Sequence, residues 1–148
     1  MNPKSIFIGR IELPNDPTTK SAARQYLVIE DETSYFFFLT TSSVLGKEDR
    51  VYGEKGKIND INVNIVIKGD MQINNKFFSP TFIDCNKRYK IIKDGITNFD
   101  ELFIREVTEN LWKLVQNKIN ELKDNDITPE EFEITDIAQL KLLNRFLR

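Results

Sequence analysis

RQYLVIEDETSYFFFLTTSS, residues 24–43, sets two apolar runs on either side of a polar corner. The first run, from Arg24 to Asp31, reads as a strand, and Asp31-Glu32-Thr33 reads as the turn that ends it. The second, SYFFFLTTSSV from Ser34, is too apolar to be half-exposed. It predicts a central strand buried on both faces. Two strands joined by so short a corner make an antiparallel hairpin. The start of its first strand then lies opposite the end of its second, which brings Arg24 to the same rim as Thr40, Thr41, Ser42 and Ser43.

The flanking sequence extends the pattern. SIFIGRIEL (5–13) alternates, with Phe7, Gly9, Ile11 and Leu13 on one face, until Pro14-Asn15-Asp16-Pro17 stops it. A polar loop of about ten residues leads to Arg24. Residues 46–60 read as a charged loop with a short strand at Val51-Tyr52. INVNIVIK (61–68) alternates, Gly69-Asp70 turns the chain, and FFSPTFIDCNKRYKII (77–92) supplies one or two more strands. Five or six short strands without an intervening helix predict a small antiparallel β-barrel. The period changes after residue 96. DELFIREVTENLWKLVQNKINELK (100–123) has a helical stripe through Phe103, Val107, Leu111, Leu114 or Val115, and Leu122. Thr97 with Asp100, or Asn98 with Glu101, offers its cap. Thr128-Pro129-Glu130-Glu131 carries a capping-box pattern and predicts a second helix, with a restart at Thr135-Asp136. The expectation is a mainly β protein with C-terminal helices. Residues 1–96 form the barrel and residues 97–148 pack on it as helices, within one domain.

Composition removes several kinds of chemistry. The 148 residues include no His, so there is no His-based acid–base catalysis and no His-ligated zinc. One Cys makes neither an internal disulfide nor a thiolate cluster. No apolar run approaches the roughly 20 residues of a membrane span. The stretch MNPKSIFIGRIEL is cut by Arg10 and Glu12 and does not read as a signal peptide, which predicts a cytoplasmic protein. The net charge of −2 is unevenly spread. Residues 1–96 carry 14 Lys and Arg against 12 acids, and residues 97–148 carry 7 against 11.

Few groups have a context for chemistry. GEKGK (53–57) lacks the Ser or Thr of a phosphate-binding loop and reads as a solvated turn. Glu30-Asp31-Glu32 reads as a solvated hairpin tip. Cys85, without a His to serve as base, reads as a small buried residue. Trp112 reads as a core or interface anchor. The Arg24 rim is more informative, because a guanidinium beside several hydroxyls is a cradle for a phosphate or oxyanion. The plainer account is a surface Arg with hydroxyls capping a strand end.

The order of these segments resembles the MazF/PemK family of toxin endoribonucleases over about residues 5–120. The resemblance is carried by IFIGRIEL (6–13), AARQYLVIE (22–30), FFFLTTSS (36–43), FFSPTFIDCNKRYKI (77–91) and a closing helix. Gln25 stands where the family usually has Pro, and residues from about Thr128 to Arg148 look like an addition. The resemblance implies an SH3-like barrel, a homodimer and an inhibitory antitoxin protein as partner. It also implies cleavage of single-stranded RNA with no metal or cofactor, leaving a 2′,3′-cyclic phosphate and a 5′-hydroxyl. Arg24 would then be catalytic, with a hydroxyl from Thr40 or Thr41. Lys20 and Ser21 would close over the RNA, and Ser42, Ser43 and Tyr26 would contact it. The alternative is a non-catalytic binding module, or a toxin on the same barrel acting on a protein target such as gyrase. In that case Trp112 and the stripe of Ile137, Leu140, Leu143 and Leu147 would matter more than Arg24.

Overall fold

The computed structural model describes residues 1–148. Its strands are β1 (Ser5–Gly9), β2 (Arg24–Asp31), β3 (Tyr35–Ser43), β4 (Lys57–Ile58), β5 (Ile61–Asn62), β6 (Asn64–Ile67), β7 (Thr81–Asp84), β8 (Lys87–Ile92), β9 (Phe103–Glu106) and β10 (Glu130–Ile134). Its α-helices are α1 (Glu48–Tyr52), α2 (Asp70–Asn74), α3 (Glu109–Asp124) and α4 (Ile137–Leu143). The pairings between strands are antiparallel, and strand outweighs helix. No helix is long and apolar enough to cross a membrane. The chain forms two compact units. One comprises Met1–Leu39, Arg88–Glu106 and Glu131–Arg148, and the other Thr40–Lys87 and Val107–Glu130.

The first unit is built on the strand order β10-β8-β3-β2-β1-β9, and its two end strands do not pair. Phe7, Tyr26, Phe36 and Phe38 fill its core. The Phe7 ring meets Phe36 and Phe38 edge-on at 5.7 and 5.4 Å between centroids, and Tyr89 stacks on Phe38 at 5.4 Å. Such contacts add about 0.5–1.5 kcal/mol each to area burial. The hairpin of β2 and β3 matches its expected span to within one residue, and Phe36 to Leu39 are buried without a break.

Three expectations are corrected in this unit. The first strand stops at Gly9, not Leu13, because the Asn144 side chain takes over the next backbone positions. Arg10 N donates to Asn144 Oδ1 at 2.9 Å, and Asn144 Nδ2 donates to Arg10 O at 2.8 Å. Ile11 and Leu13 still reach the core. The helix expected from Asp100 does not begin there. Phe99–Leu102 is a turn of 3-10 helix, and Phe103–Glu106 pairs with β1 through Ile6↔Arg105 and Ser5↔Glu106. The helix expected at Thr128-Pro129-Glu130-Glu131 is β10. Pro129 stands just before the strand, where it need not donate to the ladder. Arg88 forks onto Glu131 Oε1 at 2.7 and 3.0 Å, and the Phe132 ring stacks on Tyr89 at 5.4 Å. These neighbours outweigh a local capping preference. The restart at Asp136 holds, since its carboxylate accepts from Gln139 N at 3.0 Å to cap α4.

The second unit pairs β7 with β6 and with the end of β3. Asn59 and Asp60, both at positive φ, make the two-residue turn between β4 and β5. Val51-Tyr52, expected as a strand, lies in α1, where Val51 packs against Val44 and Phe82. The Gly69-Asp70 turn leads into α2. α3 buries Leu111, Val115 and Leu122 while Leu114 is exposed, which resolves the helical stripe. Thr108 caps it, and Asn75 holds that cap. Thr108 N donates to Asn75 Oδ1 at 2.7 Å, and Asn75 Nδ2 donates to Thr108 Oγ1 at 3.1 Å.

Candidate functional site

Arg24 opens β2 directly opposite Gly9 of β1. Residues two apart on a strand point the same way, so Arg24 shares its face with Tyr26 and Val28 of the core. The residue is half-buried, and its Nε is buried without a hydrogen-bond partner. Tyr26 is 1% exposed, and its hydroxyl also has no partner. Burial pushes that hydroxyl up to about 12, with the Arg24 charge pulling the other way and Tyr89 and Asp16 adding to the rise. Tyr26 is therefore a neutral O–H donor across the physiological range.

The loop before β2 borders the same cluster. Tyr89 OH donates to Asn15 Oδ1 at 3.0 Å. Asp16 Oδ1 accepts from Thr18 N and Thr18 Oγ1 at 3.1 and 2.6 Å, starting the 3-10 helix Pro17–Ser21. Thr19 is buried and ties that helix back to Leu13 N and Ile11 O. What results is a cation and a hydroxyl, both with unused donors, beside a braced loop. Their chemistry suits an oxygen-rich anion, which accepts from both.

The sequence-predicted residues divide between the two units. Arg24, Lys20, Ser21 and Tyr26 lie in the first, and Thr40, Thr41, Ser42 and Ser43 in the second. Lys20 and Ser21 are exposed at the end of the 3-10 helix. The Lys20 ammonium is engaged by Glu12 at 3.0 Å, and hydrogen bonds from Gln139 and Lys20 hold the Glu12 carboxyl below its usual range. Tyr26 offers no face for a base to stack on, because Phe7 and Phe38 pack its ring at 5.3 and 4.9 Å. Only its hydroxyl is left for chemistry. Thr41, Ser42 and Ser43 pair with Ile83, Phe82 and Thr81, and Ser43 Oγ lies 3.2 Å from Ser79 Oγ. Cys85 is a buried residue, as expected, and burial pushes its thiol up to about 12. Trp112 is half-buried on α3.

Sequence reasoning missed a groove of about 540 Å3 in the first unit. Gly9 and Ala23, the cross-strand partner and chain neighbour of Arg24, line it. So do Ile8, Ile104 and the segment Leu143–Phe146. A Cβ on Gly9 would stand 3.2 Å from Asn144 Oδ1, so the bare glycine lets the Asn144 bracket approach. Arg10 and Arg145 stand at the groove against one acid, Glu101. A second groove of about 320 Å3 carries Glu12, Glu133 and Asp136 and has the opposite electrostatic character. Phe146 lies off the apolar stripe of its own segment, which was the only available sequence signal.

No family model matches this chain, and no curated protein matches it.

Proposed function

We propose that the protein is a toxin-type endoribonuclease of the kind the MazF/PemK resemblance implies, cutting single-stranded RNA without a metal. The reading takes the first unit's sheet as a partly open SH3-like barrel. It carries with it a homodimer, an inhibitory antitoxin partner and a cytoplasmic setting. One observation supports it above the others: Arg24 and Tyr26, two residues apart on one face of β2, keep a buried guanidinium N–H and a buried hydroxyl without partners. Buried polar groups are normally paired within the fold, and a pair left open suits a ligand that completes it.

A phosphodiester fits that role. The RNA 2′-hydroxyl attacks the adjacent phosphorus, and the O2′–P bond forms as the P–O5′ bond breaks. The 2′-hydroxyl loses its proton and the departing 5′-oxygen gains one, so no water is consumed. Charge accumulates on the equatorial phosphorane oxygens, where Arg24 would act by fixed electrostatic stabilisation. Tyr26, held neutral, would donate to the same oxygens or hold the guanidinium in line. Lys20 and Ser21 would contact the strand. Single-stranded RNA suits the site because its bases can be splayed.

The test is cleavage of a mixed single-stranded RNA in EDTA, beside Arg24→Ala. Wild type is expected to leave cyclic-phosphate and 5′-hydroxyl ends, and the variant to lose about 100-fold or more in rate. A folded Arg24→Ala protein that cuts at the wild-type rate would remove Arg24 from the mechanism. A folded wild type that cuts nothing would leave the non-catalytic binding module.

A further inference from the structure

We infer that the groove lined by β1, β9 and the segment after α4 is a subsite for an unpaired nucleobase beside the phosphate held at Arg24. The inference rests on the nuclease reading and adds a residue set that the resemblance does not supply. The wall Leu143–Phe146 falls in the stretch that looks like an addition to the family pattern.

Four observations carry it. The groove's volume of about 540 Å3 lies within the range of small-molecule clefts, about 300–1,000 Å3. Its apolar surface is open, with Ile8 37% exposed and Phe146 61% exposed. Phe146 is held from its backbone: Asn98 Nδ2 donates to its carbonyl, and Arg148 N donates to Asn98 Oδ1 at 2.9 Å. A large exposed ring on a tethered backbone is a stacking platform, and stacking accepts any base face. Charge selects the occupant. Arg10 and Arg145 outnumber Glu101, and the groove reaches Gly9 and Ala23, the cross-strand partner and the chain neighbour of Arg24. An aromatic platform flanked by guanidinium groups matches a strand of bases on a polyanionic backbone better than an apolar peptide.

The experiment measures fluorescence anisotropy of full-length protein with 2′-O-methyl homohexamers of A, C, G and U, which lack the attacking hydroxyl. Cleavage of a mixed RNA runs in parallel. Phe146→Ala is expected to bind the preferred hexamer about tenfold more weakly and to flatten the preference among the four. Leu142→Ala, also exposed but outside the groove, is expected to bind as wild type does. If wild type cuts RNA and Phe146→Ala keeps its affinities and preference, the subsite is wrong and the nuclease reading stands. If folded wild type neither cuts nor binds RNA, both fall.

Discussion

Tyr26 carries a hydroxyl that the surrounding core does not satisfy. Leaving such a group unpaired costs about 1–3 kcal/mol. Tyr26→Phe removes the hydroxyl and keeps the ring among Phe7 and Phe38. The variant is expected to melt at or above the wild-type temperature, read by calorimetry; the proposed nuclease function adds that it cuts RNA more slowly, read by the cleavage assay. A lower melting temperature would mean that the hydroxyl serves the fold, through a partner such as bound water. Arg24 was legible from sequence because a charged residue opening an apolar strand stands out. Tyr26 was legible as a position but not in its role, since its ring is packed by Phe7 and Phe38 from two other strands. Phe146 and Arg145 were not legible, because nothing local to residues 143–146 signals that Gly9 and Ala23 lie across from them.

Among the elements, the β2–β3 hairpin was read to within one residue because its apolar runs are continuous and its corner is short. β9 and β10 were misread because both hold good local helix signals that pairing overrides. β9 gains a ladder on β1, and β10 gains the Arg88–Glu131 fork and the Tyr89–Phe132 stack. Besides its apolar face, α4 is tied down through Asn144, a buried side chain that bonds Arg10 at both backbone groups and returns a third bond to Leu140 O at 2.9 Å. Asn144→Ala leaves those groups unsatisfied and is expected to cost about 1–3 kcal/mol in urea unfolding. Hydrogen exchange of the Arg10 amide should speed up in step. An unchanged Arg10 amide would show that α4 is held by its apolar face and the Gln139–Glu12 bond instead.

For the molecule as a whole, the distribution of charge predicts how stability responds to acid. Asp84 is buried, and burial raises its pKa above the usual carboxylate range, with the Asn86 backbone N–H pulling back. A raised folded-state pKa means that the fold prefers the protonated form. The stabilisation is fully present below the ordinary aspartate range and is lost as pH rises through the raised value. Asp84→Asn is therefore expected to be more stable than wild type at neutral pH, with the difference shrinking as pH falls. Denaturant unfolding across that range checks it, and a difference independent of pH would assign it to packing. The division into units has no counterpart in the composition shift near residue 96, because each unit draws on separated stretches of chain. That interleaving has a consequence during synthesis. Arg10 emerges from the ribosome 134 residues ahead of the Asn144 that brackets it. At about 5–20 residues per second, the interval is roughly 7–27 s. Throughout it the growing chain lacks the wall of its own groove, so that cleft exists only once the segment Leu143–Phe146 has left the ribosome.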